Sequence, residues 1–154
     1  MMIRTFTPHD AAECLALFRN TIREINRRDY SPAQINAWAS DDISLDAWAK
    51  RFEGRIAHVA THAGVIIGFT DMTEEGHLDR LFVAADFQRQ GIARQLVLKL
   101  IENATEWECD GITTEASITA KPFFETMGFT VIQEQSVPCR GVALTNFKMR
   151  LAIG

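Results

Sequence analysis

The sequence is short of several features that would assign it at once. Its three cysteines, Cys14, Cys109 and Cys139, are an odd number without metal-ligand spacing, which argues against both a disulfide framework and a metal cluster. A reducing, cytoplasmic setting is therefore expected, and no metal is. No apolar run approaches the roughly 20 residues a membrane-spanning helix needs. The opening MMIRTFTPHD also lacks an apolar core of signal-peptide length. Neither G-x-x-x-x-G-K-[ST] nor G-x-G-x-x-G occurs, so P-loop and dinucleotide-binding readings lose their support. Basic excess is missing too. The net charge of -4 and pI near 5.5 leave no general field for nucleic acid or an anionic membrane, and neither is expected as a partner. Repeats, low-complexity runs and linkers are absent. What is present is a normal globular balance, 47% hydrophobic and 23% charged, in a length that suits one domain, residues 1–154, with one core.

The residue pattern alternates strands with helices. Ile3–Phe6 reads as a first strand, and Thr7-Pro8-His9-Asp10 as a helix start ahead of the stripe Ala11, Cys14, Leu15, Leu17, Phe18, Ile22 and Ile25. Ser31-Pro32-Ala33-Gln34 has the order of an N-cap, a first-position proline and a capping-box glutamine. A further short helix is predicted over Leu45–Phe52, with Trp48 facing inward. Arg55–Ala60, Val65–Asp71 and Leu78–Val83 read as three strands joined by turns at Ala63-Gly64 and Glu74-Glu75-Gly76, an antiparallel meander. After Gly91, the residues Ala93, Leu96, Val97, Leu100, Ile101 and Ala104 make a helical face. The strand Ile112–Ala116 follows, so a right-handed parallel crossover is implied. Pro122 and Gly128 bracket a short helix. Phe129–Gln135 and Leu144–Leu151 read as two terminal strands, with Val137-Pro138-Cys139-Arg140-Gly141 as the loop between them.

The stretch His77–Leu100 organises the rest: strand, loop with one glycine, long amphipathic helix. Its loop carries Gln88-Arg89-Gln90-Gly91-Ile92-Ala93, a Q-x-x-G-x-A spacing. The first turn of a helix leaves backbone N–H groups without partners, and the positive end of the dipole favours an anion there. Gly91 offers no Cβ to an approaching ligand, Ala93 is the next smallest choice, and Arg89 and Arg94 add local positive charge. A phosphate-binding turn is the functional reading. An ordinary strand–helix connection with a basic rim is the plainer one.

With F-F-x-x-x-G-F added (Phe123 to Phe129), the element order resembles the GCN5-related N-acetyltransferase (GNAT) superfamily from about Ile3 to Leu151. The segments YSPAQINAWA, EASITAKPFFETMGF and CRGVALTNFKMRL are similar to its YafP-type branch of bacterial acetyltransferases. The resemblance implies an α+β, three-layer fold. It has a central mixed, mostly antiparallel sheet of six to seven strands, helices on both faces, and a V-shaped splay for acyl-CoA. It also implies acetyl-CoA as co-substrate. Gln88, Arg89, Gln90, Gly91, Ile92, Ala93 and Arg94 would hold the pyrophosphate. Leu81, Phe82 and Val83 would pair with the pantetheine arm, and Ser117 and Phe124 would face it. Two departures stand out: Phe124 where many members carry a tyrosine that protonates the leaving thiolate, and Ser117 where many carry asparagine. A homodimer is among the states the superfamily adopts.

Direct acetyl transfer to an amine of a small molecule or peptide is the expected reaction. A lysine-like amine, with a pKa of about 10.4, must lose a proton before it attacks. His77, Asp79 and Glu115 are the candidate bases, each with a structural alternative: turn histidine, hydrogen-bonded carboxylate, exposed strand residue. Tyr30, Trp38 and Cys139 are candidates for the acceptor pocket, which is expected to come from the Asp29–Trp48 region and the Val137–Thr145 loop. Two rivals follow from the residues. Phe124 motivates a non-catalytic acyl-CoA-binding or protein-interaction module, and the loop alone would also suit another phosphate-bearing ligand.

Overall fold

A computed structural model describes residues 1–154. Its frame is a seven-stranded sheet, β1 (Met2–Thr5), β2 (Ile56–His62), β3 (Val65–Met72), β4 (His77–Val83), β5 (Gly111–Ser117), β6 (Thr130–Cys139) and β7 (Val142–Ala152), in the order β1-β2-β3-β4-β5-β7-β6. Every neighbouring pair is antiparallel except β4–β5. Helices α1 (Ala11–Glu24), α2 (Pro32–Trp38) and α3 (Leu45–Lys50) cover one face. Helices α4 (Ile92–Glu106) and α5 (Lys121–Thr126) cover the other. The mixed, three-layer arrangement expected from the sequence is the one found.

Each layer follows from apolar residues at the right period. Phe18, Ile22 and Trp48 pack from the first helical layer onto Val59 and Phe69. On the opposite face Val97, Leu100 and Ala104 of α4, with Phe124 of α5, pack onto Leu78, Ile112, Ala116 and Met149. Helix α2 is only seven residues, too short to hold itself in water, and its cap does much to define it. Ser31 Oγ accepts from the Gln34 N–H at 3.2 Å and Gln34 Oε1 accepts from the Ser31 N–H at 2.8 Å. The Gln34 amide also donates to the Ala143 carbonyl at 3.0 Å, tying α2 to β7.

The sheet opens at one seam. Strands β4 and β5 pair only at His77↔Thr113 and Leu78↔Thr114. At that closed end Gly76 has φ +93°, and a Cβ would stand 2.6 Å from the Gly111 carbonyl. Only glycine brings the turn this close. Beyond Leu78 the register of β4 slips: Met72 opposes Leu78 but Asp71 opposes Arg80, so Asp79 is the extra residue of a bulge. A bulge bends its strand and sharpens the twist, and here it turns β4 away from β5.

Buried charge holds the bulge. Asp71 is fully buried and Arg80 is 3% exposed. The Asp71 carboxylate accepts from the Arg80 backbone N–H at 3.0 Å and from its guanidinium. That guanidinium lies 4.1 Å from the Phe52 ring centre and 4.5 Å from that of Trp48. Arg55 bridges Asp71 and Asp79 at 3.2 and 2.6 Å, and Arg51 reaches Asp79 at 3.0 Å.

Two expectations are corrected. Residues Val137, Pro138 and Cys139 are not loop but the end of β6, which pairs with β7 as far as Cys139↔Val142. The turn is Arg140-Gly141 alone, with φ of 46° and 81°, as a two-residue type I′ hairpin requires. Pro138 misled because proline is rare in strands, but β6 is an outer strand, where a missing N–H is tolerated. Helix α3 ends at Lys50, and Phe52 packs on Trp48 from the following turn.

Removing one partner of a buried pair strands the other charge, at a cost of about 3–5 kcal/mol. Asp71→Ala is expected to lower unfolding stability in urea by that amount, against about 1 kcal/mol for loss of the cap in Ser31→Ala. Equal losses in the two variants would show that Arg80 is not held by Asp71.

Candidate active site

Where β4 and β5 part, a cavity of about 840 Å³ runs through the molecule. Its floor is the unpaired stretch of β4, and it has two ends of different character.

One end is the loop before α4. After a 3₁₀ turn at Ala85–Phe87 the chain passes Arg89 (φ 60°) and Gly91 (φ 81°) and enters the helix. The seven consecutive N–H groups from Gln88 to Arg94 take no backbone or side-chain partner in the chain. The first helical bond is from Gln95 N–H to the Gly91 carbonyl at 3.1 Å. A run of donors at a helix N-terminus is an anion cradle. A Cβ on Gly91 would meet nothing within 4 Å inside the protein, so what the chain itself asks of Gly91 is its positive φ. Gln88 does not spend its side chain on the cradle. Its Nε2 donates to the Val83 carbonyl at 2.7 Å and so folds the loop back onto the strand end. Arg89 and Arg94 make no ion pair, and both line the cavity.

The middle is the slot. Leu81, Phe82 and Val83 of β4 stand on one side, with Ser117 of β5 and Phe124 of α5 on the other. Past Leu78, β4 has no strand partner on its β5 side, so backbone groups there are open to an extended ligand. Ser117 Oγ accepts from the Ala120 N–H at 3.0 Å and caps the approach to α5. Phe124 is buried, edge-on to Phe129 at 5.0 Å.

The three candidate bases part company. His77 does not line the cavity. It sits at the closed end of the seam, its Nδ1 2.9 Å from Thr113 Oγ1. Asp79 lines the cavity but is held by Arg55 and Arg51. Burial pushes its carboxyl up, yet the hydrogen bond from Arg55 and the charge of Arg51 outweigh this and hold it below the usual carboxylate range. A carboxylate so committed is a weak proton acceptor. Glu115 lines the cavity, is exposed, and accepts from Gln135 Nε2 at 2.7 Å.

The far end carries the acceptor-pocket candidates. The Tyr30 hydroxyl donates to the Thr145 carbonyl at 2.6 Å and accepts from the Ile118 N–H at 2.9 Å. Burial raises its pKa, against a smaller lowering by the Ile118 bond, so it stays a phenol at neutral pH. Trp38 lies edge-on to Tyr30 (5.4 Å) and to Phe82 (6.2 Å), and Phe82 edge-on to Phe18 (4.9 Å). Cys139 Sγ is 3.5 Å from the Ala37 carbonyl, which also accepts from Arg140 at 2.8 Å. Two cavity residues were not singled out from the sequence. The exposed Arg28 side chain makes no hydrogen bond or ion pair in the chain, and it reads in sequence only as part of a polar run. Asn146 has a side-chain amide without a partner, its Oδ1 buried, and carries no local signal at all.

Comparison with known proteins gives the family and the fold. The model of the Acetyltransferase (GNAT) domain family matches residues 26–151. The uncharacterized N-acetyltransferase YafP of Escherichia coli (strain K12) is 37% identical over 150 residues, covering 97% of this chain and 95% of that protein. A GCN5-related N-acetyltransferase crystal structure from Rhodopseudomonas palustris, also described as a class-II aminotransferase, is 30% identical. It covers 99% of this chain and 95% of its own, with a TM-score of 0.95. The PaiA N-acetyltransferase of Thermoplasma acidophilum in complex with coenzyme A shares the fold at 15% identity, covering 99% and 98% of the two chains, with a TM-score of 0.77.

Because the Asp79 carboxyl is depressed in the folded state, its stabilisation is complete above the unfolded value of about 3.9 and is lost as pH falls through the folded value. Asp79→Asn is therefore expected to lower Tm at pH 6 and to narrow the gap between Tm at pH 6 and at pH 3. Parallel profiles for the two proteins in a thermal melt series would remove the ion pair from the account.

Proposed function

The chain belongs to the GNAT acetyltransferase family and is an acetyl-CoA-dependent N-acetyltransferase, and we propose that it passes the acetyl group directly to an amine of a small molecule or peptide. The observation that carries the site reading is the run of seven unpartnered N–H groups from Gln88 to Arg94, beside Arg89 and Arg94 and at the mouth of the slot. These groups would hold the diphosphate of acetyl-CoA. Leu81, Phe82 and Val83 would receive the pantetheine amides along β4. The T. acidophilum protein, in the same fold, is in complex with coenzyme A, which supports the choice of cofactor.

In this reading a neutral amine attacks the thioester carbonyl, a β4 backbone N–H stabilises the oxyanion, and the carbon–sulfur bond breaks. Phe124 supplies no proton. A thiol of pKa about 8.5 can leave as the thiolate and take its proton from solvent. The loss of a tyrosine there does not favour the non-catalytic module over the enzyme. We take residues 1–154 as one catalytic domain. The chain is proposed to act as a monomer or a homodimer. The three free cysteines fit a bacterial cytoplasm.

Gly91→Val forces a β-branched residue into a left-handed backbone and misaims the cradle. Calorimetry is expected to show acetyl-CoA affinity reduced about tenfold or more, as loss of one charge-assisted bond of about 1.5–3 kcal/mol implies. Unchanged affinity in a folded variant would move the diphosphate elsewhere.

A further inference from the structure

The acceptor end of the cavity has a chemical character of its own. Its walls are aromatic: Trp38, Phe82 and Phe18 form a chain of edge-to-face contacts. Trp38 and Phe82 are only half-buried, which leaves ring surface to the cavity. Flat apolar surface of this kind takes an aromatic or bulky apolar body, and each ring pair is worth more than its area alone. Six arginines line the cavity as a whole, but Arg89 and Arg94 stand at the diphosphate end, and Arg51 and Arg80 are paired with Asp79 and Asp71, which leaves Arg28 and Arg140 without an ion pair.

Asp79 is already held by Arg51 and Arg55, so Glu115, whose one partner is the neutral Gln135 amide, is the single carboxylate on the cavity wall left for a cation. A polyamine or an aminoglycoside brings several ammonium groups, each needing its own carboxylate if it is to be desolvated. The far end does not supply them. Two residues before Tyr30 the cavity is lined by Arg28, an exposed side chain with no ion pair in the chain. An unpaired guanidinium matches one carboxylate, bidentately and at close range.

Asn146 adds the third contact. Its amide, on the cavity wall, makes no hydrogen bond within the chain; its Oδ1 is buried, and a half-turn about the terminal side-chain bond would bring that oxygen to the position the nitrogen now holds. A neutral amide can accept an N–H from an amine without stabilising the ammonium form. A carboxylate in the same place would raise the amine's pKa and hold it in the unreactive state.

We propose that the acceptor is an aromatic amino acid: one amine to be acetylated, one carboxylate for Arg28, and a ring for the Trp38–Phe82–Phe18 wall, with Asn146 receiving the amine. This rests on the acetyl-transfer reading above. The amine nitrogen bonds to the thioester carbonyl carbon, the carbon–sulfur bond breaks, and the amine proton reaches the thiolate through solvent. The products are the N-acetyl amino acid and coenzyme A.

The test measures thiol release from acetyl-CoA with L-tryptophan and L-phenylalanine, their decarboxylated amines tryptamine and phenethylamine, spermidine, and kanamycin. The amino acids are expected to give kcat/KM at least about tenfold above their decarboxylated amines, with no turnover of the two polycations. Arg28→Gln is expected to erase the preference for the carboxylate while leaving KM for acetyl-CoA unchanged, and Arg28→Lys to retain part of it. Equal rates with and without the carboxylate would overturn the proposal. So would faster turnover of spermidine or kanamycin, or an Arg28→Gln effect confined to the KM of acetyl-CoA. Thiol release with none of the amines, acetyl-CoA binding intact, would instead overturn the acetyl-transfer reading and this inference with it.

Discussion

The parting of β4 from β5 is the constraint on which the rest depends. Parallel strands joined by a helix ordinarily pair along their length. Here pairing stops after Leu78, because one extra residue, Asp79, turns β4 aside. The cavity, the open backbone edge and the aim of the Gln88–Arg94 loop all follow from that turn. A bulge is not self-supporting. This one is held by the Asp71–Arg80 pair beneath it and by Arg51 and Arg55 gripping Asp79 from the side. The closed end is held by contact instead, with the Gly76 carbonyl accepting from the Thr113 N–H at 3.0 Å.

The same network bears on chemistry. A carboxylate beside the slot would be the natural base, and Asp79 lines the cavity next to the last paired residue, Leu78. Its two guanidinium partners make it a structural anion. The site therefore works through positioned donors and apolar walls more than through a free proton acceptor, and the reaction it suits is one whose nucleophile arrives with a modest proton affinity.

What could be read from the sequence was what depends on neighbours in the chain. Ser31, Pro32 and Gln34 announce a helix start because a capping box closes within four residues. The stripe of α4 and the loop before it are similarly local, and of that loop Gln88, Arg89 and Gly91 to Arg94 line the cavity while Gln90 does not. The features that were not legible are those made by distant pairs. The bulge exists in the register of Asp71 with Arg80, not in either residue. His77 looked suitably placed by strand order, but the cavity opens at the other end of its strand. Pro138 read as a loop because sequence does not say which strand lies outermost. Arg28 and Asn146 have no periodicity or motif; they matter through what surrounds them and what does not.

Tyr30 joins three separate parts of the chain through one oxygen, bonded to Thr145 and Ile118 at once. It is also the sole tyrosine, with the Trp38 ring 5.4 Å away. Any rearrangement that draws the segment before α2 off the sheet would lengthen that gap and break both bonds together, so the Tyr30–Trp38 wall and the edge of β7 are fastened as one body.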